Sequence, residues 1–452
     1  MSAVGSDLRL ARQLLHGSDR REWWRITLTA AGSALATGFA SAAVVLASVR
    51  DGYAVSLFHG LVSQSGTRSG VIAGLLLLLV PVLAFLGQCT RIGAVHRDRR
   101  LAALRLAGAT PWQVRRIAAL ETGLACSLGS AVATVFSVLV VVRVWSGPTA
   151  VTWAGIALAA VGVPVLGAVA GALALRRVVA SPLGWVRRVG PGTGRGPGML
   201  FLGGLVLLAG VAPLVMDSGR RAGNRFDWQT PLTVFALVVA LGAGAVWLAG
   251  STARITGRLL AERARTATTL LAAARLRDDP WAPARIHAAV LVVTVAGTAF
   301  LCVRHAMLDE LRIEEEHLGA DMAYYTTGLD LTGAALLVAL AITLSGLAVG
   351  TAESLTTRRR ALAVQVAAGV PRPVLNRALL LETALPLAPA LLLAGGGGLA
   401  IGVWYSSLRG DGSIPWTALL VAPAVYTTCL LAAATALPLL GRSVRPGELR
   451  YV

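Results

Sequence analysis

Lysine is absent from this chain of 452 residues: all 41 of its basic residues are arginine. A Walker A loop needs the lysine of GxxxxGK[ST] to reach nucleotide phosphates, so the chain holds no such loop. Any nucleotide-driven work must draw on a separate subunit. Cysteine is scarce as well. Cys89, Cys126, Cys302 and Cys429 stand singly, mostly within apolar runs, which points neither to a disulfide framework nor to a metal site. They read as small apolar packing residues. Charge is low, at 14% of residues, and there is no HExxH, no Ser-His-Asp constellation and no paired carboxylate in a defined cleft. Hydrolytic chemistry finds no support, and the chain reads as a non-enzyme.

What the chain has in abundance is apolar sequence. It is 56% hydrophobic with a mean hydropathy of +0.70, more than one soluble core can bury. The implied fold class is an all-α polytopic membrane protein. A net charge of +19 would suggest nucleic acid in a soluble domain, but here the arginines sit in short stretches between apolar runs. They mark membrane topology, not a nucleic-acid partner.

In order, residues 8–25, with five arginines and a Trp pair, read as a helix lying on the membrane surface. Spans are expected at about Ile26–Val49, Val71–Thr90, Ile117–Val142 and Thr152–Leu175, then at Met199–Met216 and Pro231–Gly250. Four more follow at Ile286–Val303, Leu329–Gly350, Ala378–Val403 and Trp416–Leu440. A basic stretch rich in Gly and Pro, residues 176–198, reads as a linker. The chain thus divides into 1–197, a first four-span repeat with its surface helix; 198–253, a two-span spacer; and 254–452, a second four-span repeat that also opens on a basic amphipathic segment. Placing the N-terminus inside puts 32 of the 41 arginines in cytoplasmic segments, so both termini are expected in the cytoplasm.

One stretch occurs twice. RDRRLAALRLAGATPWQVRRIAALET, from Arg97, aligns without a gap with RRRALAVQVAAGVPRPVLNRALLLET, from Arg358, at an offset of 261. Arg99/Arg360, Leu101/Leu362, Gly108/Gly369, Arg116/Arg377, Glu121/Glu382 and Thr122/Thr383 are among the identities. Six spans separate the copies, an even number, so both face the cytoplasm and the repeats are parallel. Each copy is an Arg cluster, a short apolar helix, a Gly-centred turn and a basic turn entering the next span. Thirteen residues separate Gly108 from Glu121, about 20 Å of helix. We call these copies levers, since a short helix before a fixed turn suits docking into a groove on another protein.

These residues resemble the FtsX/MacB-like permease family, whose pattern is close to R..E...LRA.GA....I......E between two spans. The segments SPLGWVRR and SVRPGELR are also similar to the family's ending after a span. The resemblance implies the transmembrane subunit of an ABC transporter, with levers seated on a cytoplasmic ABC ATPase, two copies per ten-span chain as in the bacitracin-exporter type. It implies no cofactor in this chain, with ATP and Mg held by the partner. The residues expected to couple to that partner are Arg99, Arg100, Leu101, Leu104, Arg105, Gly108 and Ala109 in the first lever and Arg359, Arg360, Leu362, Gly369 and Val370 in the second.

Glu121 and Glu382 lie near the inner ends of their spans, either as interfacial acids bonded to neighbouring arginines or as transmitters of lever movement. The outer segment Arg304–Leu329 holds Glu314, Glu315, Glu316 and Asp321, as a solvated amphipathic helix or as a site for a cationic peptide or lipid headgroups. No metal-ligand spacing stands out there. That segment is far shorter than the outer domain of the bacitracin-exporter type, so the expected cargo is lipid-like or an amphipathic peptide or antibiotic. The expected setting is a bacterial cell membrane, with lipid contacts and an extracellular accessory protein as further partners. Two other classes stay open: a module passing force or a signal to an outer partner without transport, and an ATP-independent carrier.

Overall fold

In lipid, backbone N–H and C=O groups find no water, so an apolar run of 20 residues or so must satisfy them within one helix. The computed structural model follows that rule wherever it describes the chain, at residues 20–49, 65–89, 103–144, 147–174, 229–313, 321–409 and 414–438. These residues are all-α and without strands. Eight of their helices are long and apolar enough to cross a membrane, and the protein is a multi-pass membrane protein. The chain divides by its contacts into two units, Met1–Val189 and Gly190–Val452.

The first unit contains α1 (Arg20–Ser48), α2 (Ser65–Cys89), α3 (Pro111–Val144) and α4 (Ala150–Ala174). α1 is its centre, packed on each of the other three. The reason is written along one edge of α1. Thr29, Ser33, Thr37 and Ser41 recur every fourth residue and are all buried, a polar stripe on one helix face. Ser33 donates to the Cys126 carbonyl (2.8 Å) and Thr37 to Ser130 Oγ (3.0 Å), while Ser130 passes on to the Ala160 carbonyl (2.8 Å) of α4. With no hydrophobic drive between helices in lipid, small hydroxyl residues and close backbone approach hold them together. Gly129 supplies the approach: a Cβ there would stand 1.8 Å from the Ala30 carbonyl oxygen.

The second unit contains α5 (Gln229–Arg263), α6 (Ala267–Asp278), α7 (Trp281–Ile313), α8 (Met322–Thr357), α9 (Arg359–Ala367), α10 (Arg372–Arg409), α11 (Trp416–Leu419) and α12 (Val421–Ala434). α7 and α10 form its closest pair, with α5 against both. Leu291, Val295, Leu387, Leu391 and Ala394 are buried between them. The glycine run Gly395–Gly398 serves this contact, since a Cβ on Gly398 would lie 2.6 Å from the Val295 carbonyl oxygen. α11 and α12 are one expected span broken at Leu420, where Pro423 has no N–H to carry the helical ladder on.

Two expectations change. The surface helix at 8–25 is described only from Arg20, and from there it is continuous with the first span. The reason is that the apolar run simply extends the helical ladder backward. The boundary drawn between 253 and 254 falls inside α5, which runs unbroken to Arg263. The outer segment Arg304–Leu329, which had a helix among its readings, is helical where it is described: α7 continues to Ile313 and α8 begins at Met322. The fifth expected span, Met199–Met216, lies outside the described residues.

Gly129→Ala should destabilise the first unit by about 1–3 kcal/mol, the usual range for overpacking a close contact. Thermal unfolding in detergent checks this, with Gly74→Ala, whose Cβ meets nothing within 4 Å, as the neutral control.

Candidate functional site

The two levers end in the same backbone turn. Gly108 has φ 97° and Gly369 φ 91°, the left-handed region that glycine enters without steric cost. The hydrogen bonds around them correspond one for one. Gly108 N–H reaches the Arg105 carbonyl (3.1 Å) and Ala109 N–H the Leu104 carbonyl (3.0 Å). In the second lever Gly369 N–H reaches Val366 (2.9 Å) and Val370 N–H reaches Gln365 (3.0 Å). This is the Schellman ending, in which two amides beyond the helix satisfy its last carbonyls. The chain then re-enters a helix at once. In the first lever a reciprocal cap starts it, Thr110 N–H to Gln113 Oε1 (2.8 Å) and Gln113 N–H to Thr110 Oγ1 (3.3 Å). In the second, Pro371 stands in place of Thr110 and only its carbonyl accepts.

Each turn is seated on the span that follows. Leu104 and Ala109 pack on buried Val114 and Ala118. At the same positions of the other copy, Val370 packs on Leu375 and Leu379, joined by Leu355, Leu362 and Ala436. Of the residues expected to meet a partner, Leu104, Ala109, Leu362 and Val370 therefore face inward, and Leu362 is fully buried. They fix the lever to its span. Gly108, Gly369 and Arg360 are exposed, while Arg105 and Arg359 are half-buried. Arg99, Arg100 and Leu101 lie outside the described residues.

The tip also holds apolar residues that the pattern of the sequence did not single out. Leu106 is 71% and Trp112 67% exposed on either side of the Gly108 turn, and Val364 is 53% exposed on α9. Their signal was available: large apolar side chains beside a glycine turn.

Glu121 and Glu382 each sit ten residues past the first residue of their helices, α3 and α10, and both are met by arginine. Arg25, near the start of α1, donates to Glu121 Oε1, with both side chains buried. Glu382 is held from two sides, by Arg358 at the root of α9 (2.9 Å to Oε1) and Arg275 of α6 (3.3 Å to Oε2). A carboxylate in a low-dielectric setting is costly without such partners. Each acid thus ties a lever-bearing span to another helix of its own unit, and in the second unit to the lever itself.

At the far end of the second unit, Arg304 meets Asp330 (2.9 Å), and Asp309 meets His305 (3.3 Å) and Arg312 (3.4 Å). These are exposed pairs of small energetic weight. Asp321 precedes the first turn of α8 without a side-chain cap. Glu314, Glu315 and Glu316 lie outside the described residues.

Residues 71–183 match the sequence profile of the FtsX-like permease C-terminal family. The matched stretch takes in most of α2, the first lever, α3 and α4. No curated protein matches the chain.

Arg25→Ala leaves Glu121 without that guanidinium and should cost about 3–5 kcal/mol, the range for breaking a buried pair. Arg358→Ala should cost under about 1 kcal/mol, because Arg358 is a third exposed and Arg275 stays on Glu382. Paired thermal melts of the two variants give the comparison.

Proposed function

We propose that this chain, an FtsX-like permease over residues 71–183, is the transmembrane subunit of an ABC transporter whose two levers seat on cytoplasmic ABC ATPases, one beneath each. A membrane permease component of an ABC-type system is what the family match and the apolar helices jointly support. The single observation that carries the coupling reading is the duplicated turn. Two stretches 261 residues apart build the same left-handed glycine with the same amide bonds, and each leaves a convex tip with exposed apolar side chains. Two such tips on one chain fit two copies of one partner.

The mechanism that follows is mechanical. Closure of the ATPase pair on ATP and Mg pushes the levers, which are bolted to α3 and α10 by the packed residues beneath the turns. Glu121 and Glu382 hand the movement to α1, α6 and α9 through their arginines. Leu106, Trp112 and Val364 make the apolar contact, and the arginines that the sequence gives each lever, Arg99, Arg100, Arg105, Arg359 and Arg360, favour an acidic rim on the partner. The setting is a bacterial cytoplasmic membrane with both termini in the cytoplasm, as the arginine distribution favours. The cargo is a lipid-like or amphipathic molecule, because the helices of the outer hairpin run to Ile313 and from Met322 with eight residues between them.

Co-expression with the ATPase encoded beside it, followed by native mass measurement, should give one permease with two ATPases; a permease that stays alone sinks the reading. In the same assay Leu106→Ala with Trp112→Ala should weaken ATPase binding by about tenfold or more, the scale of apolar anchors in an interface. Gly108→Leu with Gly369→Leu should abolish ATPase stimulation while membrane insertion persists, since a bulky residue at φ near 90° forces the turn open.

A further inference from the structure

The two ion-pair joints are built differently, and the difference leaves a hole. The offset of 261 holds through the first span of each repeat: α1 and α7 start at equivalent positions, as do α3 and α10. The buried positions correspond as well, at Ile26/His287, Thr29/Val290, Ser33/Thr294, Thr37/Thr298 and Ser41/Cys302. In that register the counterpart of Arg25, the partner of Glu121, is Ile286. Glu382 is reached instead from outside the span, by Arg275 of α6 and Arg358 at the root of the second lever.

Where the first unit places a guanidinium, the second has a cavity of about 40 Å³ lined by Ile286, His287, Thr351, Ser354, Arg358 and Glu382 among others. His287 is 2% exposed, and its Nδ1 is buried with no hydrogen-bond partner. A buried polar atom needs a partner, and a cavity that holds one probe sphere and offers two to four polar groups is a water site. The chemistry suits water: the Thr351 hydroxyl already donates to the Ala348 carbonyl (2.9 Å), so its lone pairs remain to accept. The Glu382 carboxylate accepts and the Arg358 guanidinium donates.

We propose that this cavity is a water-binding site in which an ordered water stands in for the missing guanidinium, bonding His287 Nδ1 and the Glu382 carboxylate. Water changes partners more easily than a fixed side chain. The second joint is therefore the one that gives: Arg358 swings away with its lever while Glu382 stays satisfied by Arg275 and water. The hydration site stands on the geometry alone; its use as a moving joint rests on the coupling-lever reading.

A cryo-EM structure of the full chain in lipid nanodiscs, at a resolution that shows waters, tests the site. The expected result is solvent density within hydrogen-bond distance of His287 Nδ1 and Glu382, lost in His287→Leu. An empty cavity, or a side chain filling it, overturns the proposal. Ile286→Arg should install the first unit's arrangement, displace the water, meet Glu382 in place of Arg358 and so quicken amide hydrogen exchange in α9 by about tenfold, on the scale of one charge-assisted bond lost. Unchanged exchange with the guanidinium seated overturns the moving joint. Neither readout needs the ATPase, so failure of ATPase binding in the unaltered protein counts against the docking reading and leaves the water site untouched.

Discussion

A carboxylate placed inside the end of a membrane helix must be neutralised where it stands, and much of this molecule follows from doing so twice. Glu121 and Glu382 each oblige another element of their unit to come within reach of a guanidinium. For Glu121 the obligation falls on α1, already held to α3 by its hydroxyl edge. For Glu382 it falls on α6 and on the root of the lever. The acids thereby convert a bundle held mainly by close backbone contact and dispersion, which resists sliding weakly, into one with defined registers at the end that carries the levers.

The levers show how much of a duplicated part is backbone and how much is side chain. The turn itself is reproduced to within a few degrees at glycine. What decorates it is not. Leu106 has Ala367 as its counterpart and Trp112 has Pro373, so the first tip is broad and aromatic where the second is small, with Arg372 beside it. Constraint has fallen on the frame, which sets direction, and less on the surface, which sets affinity. Under the frame the order reverses: the second lever sits on the larger apolar cluster, five buried residues from Leu355 to Ala436, against Val114 and Ala118 in the first.

Much of the fold was legible because lipid removes alternatives. Long apolar runs have only the helix open to them, so the apolar centre of each described span could be read from hydropathy, while α5, α7, α8 and α10 run about 6–13 residues past the expected ends. The levers were legible because they repeat, and glycine at a fixed place in both copies announced the left-handed turn. Less visible was the partnering of the acids. Nothing in the sequence separates Arg25 from the other arginines before the first span, because its role depends on a contact 96 residues away. Arg275 belongs to a segment whose pattern spoke only of amphipathicity. The inward orientation of Leu104 and Ala109 was hidden for a different reason: a helix of one or two turns has too few residues for its period to reveal a face. The stripe Thr29, Ser33, Thr37, Ser41, by contrast, was in plain view at a spacing of four, obscured only by the habit of counting threonine and serine as neutral in a span.

The length of α7 and α10 has a further meaning. At 33 and 38 residues they are about 50 and 57 Å long, against a hydrocarbon layer of about 30 Å. Each is a rod longer than the wall it crosses, and a rod pivoting in a wall trades force for stroke. A tilt of about 10° over a 50 Å arm carries the far end about 9 Å, a displacement wider than a lipid chain, without any helix bending. Amplification of this kind resides in rigidity and overhang, so a helix that outruns the hydrocarbon layer already has gearing built into its length.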